Sequence, residues 1–296
     1  MSQKVVNAFT VDVEDYYHVS AFTKNVRPSD WENMESRVSG NTYRILDLLN
    51  HYQVRATFYI LGWVAERRPH LVRDIQRAGH EIGSHSYRHE LVYNMTPEDF
   101  HDDLVVSCKI LEDITGEPIK TYRAPSFSIT EQSLWALDIL IEEGIELDSS
   151  IYPIRHDIYG IPNSPIQPHQ IERPTGSLWE CPGTVCNVLG CNFPVGGGGY
   201  FRIFPARWTF SQLEKLNSRH GRPFVFYIHP WEVDPDQPRI ASSWKSKLRH
   251  YTNLGRTESR MRTLLERFRF DAISAIAPSG TSIKSNNLKA SGKVTI

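Results

Sequence analysis

Apolar runs alternate with amphipathic stretches along the first two-thirds of the chain. Runs suited to buried strands cover residues 5–13, 56–61, 81–84, 121–123 and 145–147. Between them, the 3.6-residue spacing of apolar positions predicts helices at residues 42–51, 64–78, 97–115 and 131–143. A strand-then-helix order that repeats in this way favours an α/β fold with a mainly parallel sheet, either open or closed.

The pattern changes at residues 158–207, which are rich in proline and contain the run Gly196 to Gly199. We expect an irregular excursion with short strands over one mouth of the sheet. The glycines favour a mobile substrate-side loop or a tight turn over a phosphate cradle, because no Gly-Lys-Ser/Thr follows them. The regular pattern then returns, with a helix at 209–218, a strand at 223–229 and a helix at 243–268. We predict a single domain over residues 1–275 and a disordered polar tail at 276–296.

The bulk composition excludes several classes of protein. Of the 296 residues, 40% are hydrophobic and 23% are charged, and the net charge is -1, so no basic field indicates a nucleic-acid partner. The sequence opens on a strand-like run without an apolar leader, and no stretch of about 18 residues is continuously apolar. We therefore expect a cytoplasmic protein without a transmembrane segment.

Four cysteines, Cys108, Cys181, Cys186 and Cys191, match no zinc-ribbon spacing. We interpret them as buried free thiols, with a structural metal or a disulfide as the alternatives.

The first predicted strand ends in three acids, Asp12, Glu14 and Asp15. Like charges and desolvation both oppose ionisation of carboxylates crowded at the end of a buried strand. The carboxyl ends of the strands are also where α/β barrels place their active sites. Asp12 and Glu14 share a face by strand alternation, so that one could act as a base while the other holds a cation. The alternative is a solvated loop that caps the next segment.

Other polar residues also follow predicted strands. His85 and His89 lie after the third strand, four residues apart, and on one helical turn two such imidazoles would share a face and could bind one ion. The ends of the later strands carry Arg123, Asp148 and His229. A single histidine in such a place is usually structural, but several polar residues that converge on one rim favour an active site.

The segments "TVDVED", "HSYRH", "RAPSF", "DSS" and "YIHP", in this order, resemble the motifs of the polysaccharide deacetylases with NodB homology, carbohydrate esterase family 4. The opening "FTVDVEDYYHVSAF" and the Pro/Gly-rich second half resemble the subgroup associated with exosortase-type exopolysaccharide systems. The resemblance extends over residues 5–270. It implies a distorted (β/α) barrel of about seven strands, with the active site at their C-terminal ends.

The resemblance also implies roles for individual residues. Asp12 matches the general base, His85 and His89 match the metal ligands, and Arg123 matches the arginine that orients the base. His229 matches the general acid. Two matches are looser. Asp148 matches the carboxylate that tunes this histidine, and either Glu14 or Asp15 matches the acidic metal ligand. The family usually has two adjacent aspartates, whereas here Val13 follows Asp12, and this spacing favours Glu14 over Asp15.

These roles imply a hydrolase that removes N-acetyl groups from an N-acetylated saccharide, an exopolysaccharide or its precursor. A divalent ion would activate water for attack on the amide carbonyl. Two histidines and a carboxylate suit zinc best. Asp12 would accept the proton of the water, and His229 would protonate the departing amine. The alternatives are a metal-assisted hydrolase of another non-peptide C–N bond, such as a small cyclic amide, and a carbohydrate-binding barrel without catalytic activity.

Overall fold

The computed structural model describes residues 5–277. Its strands are β1 (Val6–Val13), β2 (Thr57–Ile60), β3 (Glu81–Ser84), β4 (Thr121–Tyr122), β5 (Leu147–Asp148), β6 (His169–Arg173), β7 (Gly176–Glu180), β8 (Val185–Val188), β9 (Cys191–Pro194), β10 (Val225–Ile228) and β11 (Arg269–Asp271). Its α-helices are α1 (Val38–His51), α2 (Gly62–Arg67), α3 (Pro69–Arg77), α4 (Pro97–Thr115), α5 (Ala136–Glu142), α6 (Gly198–Ile203), α7 (Ala206–His220), α8 (Trp244–Tyr251) and α9 (Leu254–Arg267).

Seven parallel strands form the body of the main sheet, in the order β10-β1-β2-β3-β4-β5-β7. The antiparallel strand β6 extends the sheet beyond β7, and β11 pairs with β1. The predicted α/β barrel class is confirmed, and the nine strands of the sheet match the predicted count of about seven only roughly. Because the seven central strands are parallel, their carboxyl ends lie at one rim.

The side chains of β1 alternate between two environments. Ala8 lies in an inner cluster inside the curve of the sheet, and Thr10 and Asp12 on the same face bond to one buried arginine. Phe9 and Val11, on the opposite face, belong to the main core between the sheet and the helices. The period of two therefore directs Asp12 inward at the carboxyl end of its strand.

The four-glycine run packs against β10, so the predicted mobile loop or tight turn is wrong. Tyr227 N donates to Gly196 O at 2.8 Å, and Gly197 forms a parallel bridge with Tyr227. A Cβ on Gly197 would lie 2.0 Å from Tyr227 O. Glycine is required here because a second backbone runs alongside the strand that leads to His229.

Two predicted helices are each broken into two. Residues 64–78 form α2 and α3, separated at Arg68, because Pro69 cannot continue the hydrogen bonding of α2 and instead begins α3. Residues 243–268 form α8 and α9, separated by Thr252, whose extended backbone ends α8, and by Asn253, whose φ of 58° is left-handed. By contrast, the predicted bounds of β3 and α4 agree with the structure to the residue.

The predicted excursion at 158–207 contains β6 to β9 and α6 and is more regular than expected.

All four cysteines are free, as predicted, and Cys181 and Cys186 are buried. The prediction of burial holds only in part for Cys108, which is half-buried, and is wrong for Cys191, which is exposed. Within residues 5–277, no helix is long and apolar enough to cross a membrane. Of the predicted tail at 276–296, residues 278–296 lie outside the described part of the chain.

Candidate active site

Polar side chains from four strands meet at the carboxyl rim of the sheet. Asp12 and Glu14 come from the end of β1, His85 follows β3, Arg123 follows β4, and His229 follows β10. Asp12, Glu14, His85 and Arg123 are at most 2% exposed. The convergence expected from the parallel order of the strands is therefore present.

Asp12 and Arg123 form a buried ion pair. Arg123 Nη1 donates to Asp12 Oδ1 at 2.7 Å and to Thr10 Oγ1 at 2.7 Å. The rest of the guanidinium donates to Ser149, and its Cζ lies 4.3 Å from the ring centre of Tyr59. These contacts fix one carboxylate oxygen of Asp12. The other, Oδ2, faces His229 Nε2 at 3.9 Å.

Glu14, His85 and His89 form the one group of at least three potential metal ligands found among the described residues. One ligand atom from each lies within 4.8 Å of the other two, and all three residues are buried. Glu14 Oε2 lies 2.5 Å from His89 Nε2. Two lone pairs would face each other across this distance unless a proton or a cation lies between them. Two imidazoles and one carboxylate are a common donor set for zinc, so the residues fit a divalent ion.

The two histidines share this site without the helical turn expected from the sequence. Residues 85–90 form a loop, in which Ser86 and His89 have left-handed φ angles of 67° and 55°. Asp103 of α4 holds the loop, because its carboxylate accepts the backbone N–H groups of Tyr87 (2.7 Å) and Arg88 (3.0 Å). The spacing of four residues correctly predicted that the two imidazoles lie together, but the predicted helical turn is wrong. A loop held by Asp103 brings them together instead.

The orientation of His85 is fixed by its neighbour on β4. Its Nδ1 donates to the backbone carbonyl of Arg123 at 2.7 Å. Burial lowers the pKa of His85 to about 4, so the ring is neutral near pH 7. With the proton on Nδ1, the lone pair of Nε2 is available to a cation, which is the usual arrangement of a metal-binding histidine.

Asp15 caps a helix and does not belong to the group of potential metal ligands. Its Oδ2 accepts the backbone N–H groups of Arg37 (2.9 Å) and Val38 (3.1 Å) at the start of α1, and its Oδ1 accepts that of Tyr16. The chain turns directly after β1, where Glu14 N donates to Asp12 O, and this turn directs the side chain of Asp15 away from the rim. Of the two acids predicted as the ligand, only Glu14 lies with His85 and His89.

His229 is held by Glu232, which lies three residues later. Its Nδ1 donates to Glu232 Oε1 at 2.7 Å, and its backbone N–H donates to the same oxygen at 3.1 Å. Arg202 Nε donates to the second oxygen of Glu232 at 2.5 Å. Burial alone would lower the pKa of His229, but the hydrogen bond to Glu232 and the charges of Glu14, Glu232 and Asp12 raise it to about 9. Its Nε2 faces Glu14 Oε1 at 3.7 Å and Asp12 Oδ2 at 3.9 Å.

The expectation that Asp148 tunes His229 is wrong, since Glu232 occupies that position. Asp148 accepts a hydrogen bond from Ser150 at 2.5 Å and pairs in register with Glu180 of the neighbouring strand. Local sequence carried a signal for Glu232. The run His-Pro-Trp-Glu has proline at the first position of a helical turn and an acid two residues later, a pattern in which the acid bonds back to the preceding backbone N–H.

Trp231 contacts both Glu14 and His229. Its Nε1 donates to Glu14 Oε1 at 3.2 Å. Its ring stacks on His229, with ring centres 5.1 Å apart, and on His250, with ring centres 4.0 Å apart. The indole is 4% exposed, so it orients its neighbours instead of lining a groove.

A cleft of about 540 Å³ opens between the loops that follow β3, β4 and β5. Tyr93, His156 and Tyr159 line it, and the last two rings stack with their centres 4.1 Å apart. Tyr159 Oη lies 2.8 Å from Tyr200 Oη, and Phe127 links the ring of Tyr159 to the residues at the rim. The cleft therefore presents flat aromatic surfaces among the loops on the carboxyl side of the sheet, and none of Asp12, Glu14, His85, His89 and His229 lines it.

The fold and the site define an α/β barrel with a His-His-carboxylate cluster at its carboxyl rim. Residues 30–140 match the family model "Polysaccharide deacetylase", and residues 149–278 match the "Domain of unknown function (DUF3473)". The similarity to polysaccharide deacetylases thus covers residues 30–140 in the family model and about a third of the chain in the relatives.

Two relatives and one solved structure illustrate the similarity. A peptidoglycan-N-acetylglucosamine deacetylase of Bacillus cereus is 30% identical over 36% of this chain and 44% of the relative. A peptidoglycan deacetylase of Helicobacter pylori is 32% identical over 36% of each chain. The chain thus spans less than half of the length of these relatives. A crystal structure of a Mycobacterium smegmatis protein assigned as a polysaccharide deacetylase has the same fold, with a TM-score of 0.60 and 20% identity over 93% of this chain and 89% of the other.

Proposed function

We propose that the protein is a metal-dependent hydrolase that removes N-acetyl groups from an N-acetylated saccharide. One observation carries this proposal. Nε2 of His229 lies within 3.9 Å of both Asp12 and Glu14, so a proton acceptor, a cation-binding cluster and a proton donor surround one small space. Hydrolysis of an amide needs these three groups together.

Glu14, His85 and His89 would hold the divalent ion, for which we propose zinc. Once bound, such an ion acts as a Lewis acid that acidifies water and stabilises negative charge on the carbonyl oxygen. Trp231 and the Arg123 carbonyl keep two of the three ligands in place, through Glu14 Oε1 and His85 Nδ1. The site is thus organised by the protein itself.

Asp12 acts as the general base in this proposal. Arg123 binds one of its oxygens and leaves Oδ2 directed toward the space shared with His229. This oxygen accepts a proton from the attacking water while the water oxygen forms a bond to the carbonyl carbon. Arg123 also places its positive charge 2.7 Å from this carboxylate, which holds the side chain of Asp12 in one orientation.

His229 acts as the general acid. Because its pKa is raised to about 9, the imidazole carries a proton on each nitrogen at neutral pH. Glu232 accepts the Nδ1 proton, so the Nε2 proton is the one that faces the substrate. When the C–N bond breaks, this proton passes to the sugar nitrogen, and the products are a free amine and acetate.

The cleft beside the rim suits a saccharide, since sugar rings stack on aromatic faces such as those of Tyr93 and Tyr159. An open cleft of this kind also argues against a small cyclic amide, which an enclosed pocket would bind better. The relatives named as peptidoglycan deacetylases support an N-acetylated sugar as the substrate class. Within that class we propose an exopolysaccharide or its precursor, on the basis of the opening segment of the sequence.

Elemental analysis of the purified protein, combined with acetate release from N-acetylglucosamine oligomers, tests the proposal. We expect about one equivalent of divalent metal in the wild type, and we expect His85→Ala to lose both metal and acetate release. His101→Ala, which alters an exposed histidine on α4, is the matched control and should retain both. Metal binding without acetate release would redirect the search to other C–N bonds. A wild-type protein that binds no metal after reconstitution would refute the mechanism.

A further inference from the structure

Helix α8 presents an apolar pair to solvent. Trp244 is 70% exposed and Leu248 is 56% exposed. They are four residues apart and therefore lie on one face of the helix. Exposed apolar residues are common singly, but a tryptophan and a leucine side by side on a short helix are a local apolar surface without a partner in the described chain.

The surroundings of this pair are basic. Between Asp236 and Glu258 the sequence contains no acid. The basic residues of this segment are Arg239, Lys245, Lys247, Arg249 and Arg256. None of them forms a salt bridge within residues 5–277. Since the whole chain has a net charge of -1, the positive charge here is a local feature.

The opposite side of α8 is fixed to the candidate active site. Arg202 Nη1 donates to the carbonyls of His250 (2.7 Å) and Thr252 (2.8 Å), and Nη2 donates to that of Arg249 (3.0 Å). The same arginine binds Glu232, and the ring of His250 stacks on Trp231. The C-terminal end of α8 is therefore one layer of side chains away from His229, while Trp244 and Leu248 remain outside.

We propose that α8 is a contact site for the surface of an anionic phospholipid membrane. Tryptophan favours the boundary between headgroups and acyl chains, and leucine gains by insertion beneath it. Lys245 and Lys247 would lie at the level of the lipid phosphates, to which they are attracted. The charge pattern disfavours a second copy of the chain, because two basic helices repel each other, and Leu248 offers no hydrogen bond to a saccharide.

The position of α8 determines where a bound membrane would place a saccharide attached to lipid. A membrane bound there would lie beside the rim that carries Asp12 and His229, so saccharides attached to lipid would be presented near the candidate active site. Binding to the membrane does not depend on the proposed reaction. The two ideas can therefore fail separately.

Cosedimentation of the full chain with lipid vesicles tests the proposal. The vesicles are phosphatidylcholine alone and phosphatidylcholine mixed with phosphatidylglycerol. We expect binding only to the mixed vesicles, and weaker binding as salt is added. Lys245→Glu combined with Lys247→Glu should weaken the binding by roughly tenfold or more, and Trp244→Ala combined with Leu248→Ala should also weaken it. Arg77→Glu combined with Lys109→Glu makes the same change in net charge at two side chains that are each 74% exposed, and it should bind as the wild type does.

Several results would overturn the proposal. The wild type could fail to bind mixed vesicles, or all variants could bind them equally. In the absence of vesicle binding, self-association that Trp244→Ala/Leu248→Ala abolishes would make α8 an interface between copies. Retention on an immobilised N-acetylated polysaccharide that the same variant abolishes would make it a saccharide platform. Acetate release from soluble oligomers should survive in all these variants, and its loss in the wild type would count against the proposed function alone.

Discussion

Nδ1 of His229 lies 2.7 Å from Oε1 of Glu232, and a single turn at the end of β10 provides both residues. Arg202 completes the arrangement by binding the other oxygen of Glu232. All three residues fall within 149–278, the second matched region, whereas His85, His89 and Arg123 fall within 30–140. The candidate active site therefore takes residues from both matched regions and from the end of β1, which precedes them, and the second region supplies the proposed proton donor together with its support.

The first prediction concerns Glu232→Gln. Loss of the negative charge should lower the pKa of His229, which the hydrogen bond to Glu232 and the charges of Glu14, Glu232 and Asp12 raise to about 9 against the effect of burial. Because His229 must be protonated to act as the acid, the alkaline limb of the pH–rate profile should move to lower pH. We also expect kcat at neutral pH to fall by roughly 10- to 100-fold with little change in KM. Initial rates of acetate release between pH 6 and 10, approximately the range that brackets this limb, provide the measurement.

The control for this variant is Glu35→Gln, which neutralises an exposed acid near Arg37. It should leave the position of the alkaline limb unchanged. Since Glu232 is also an ion-pair partner of Arg202, a thermal melt must show that Glu232→Gln is folded at the assay temperature. An unshifted alkaline limb in folded protein would contradict the role of Glu232.

The second prediction separates the proposed base, Asp12, from the proposed acidic metal ligand, Glu14. Asp12→Asn should retain about one equivalent of metal but release acetate roughly 10²- to 10⁴-fold more slowly, because the variant lacks a proton acceptor. Glu14→Gln should lose metal affinity as well, by about 10-fold or more, since a carboxylate leaves the cluster. Asp15→Asn is the matched control, because Asp15 caps α1 and lies outside the cluster. Metal titration with a competing chelator distinguishes the three variants, and equal metal loss in Asp12→Asn and Glu14→Gln would assign both acids to the metal.

The sequence was sufficient to predict the parts of the fold that follow from the periodicity of apolar residues and from the order of strands and helices. A short strand such as β3 and a helix with a Thr-Pro start such as α4 have clear local signals. Parallel strands that end in polar residues bring those residues to one rim, so Asp12, His85 and His229 could be placed together. The direction of each side chain after its strand depends on turns that no periodic pattern reports. This is why Asp15 remained a possible ligand.

A different reason explains why the sequence does not predict the partner of Asp148. It is Glu180 on β7, and the two strands become neighbours through a proline-rich connection of more than twenty residues without periodic signal. Register across such a connection is set by tertiary packing. The same long-range packing brings Gly197 beside Tyr227.

The third prediction follows from the pair of Asp148 and Glu180, which are both fully buried. Oδ2 of Asp148 and Oε2 of Glu180 have no hydrogen-bond partner elsewhere in the described chain, so one shared proton would satisfy both oxygens. Burial, followed by the charge of Asp148, raises the pKa of Glu180 well above the ordinary 4.5. Between pH 4.5 and this raised pKa, the folded protein retains a proton that the unfolded chain has lost. The free energy of unfolding should therefore fall as pH rises, by up to about 1.4 kcal/mol per pH unit.

Glu180→Gln should remove this dependence, because the amide can donate to Asp148 at every pH. Urea unfolding at several pH values above 4.5 measures the slope. Glu146→Gln, which changes an exposed acid paired with Lys120 at the surface, should keep the slope of the wild type. Parallel slopes for wild type and Glu180→Gln would show that the two carboxyls do not share a proton.

The last prediction tests how the glycine run supports the site. A Cβ at Gly197 would lie 2.0 Å from Tyr227 O, and its φ of 140° is unfavourable for a residue with a side chain. Gly197→Ala must therefore separate the two backbones, and we expect a loss of about 2 kcal/mol or more in the free energy of unfolding. Gly199→Ala is the control in the same run, since its Cβ would meet nothing closer than 3.7 Å. Because Tyr227 lies two residues before His229, Gly197→Ala should also lower kcat at temperatures where the variant is still folded. Chemical denaturation and acetate release measure the two effects, and equal stability of the two variants would show that close packing on β10 is not the reason for glycine at this position.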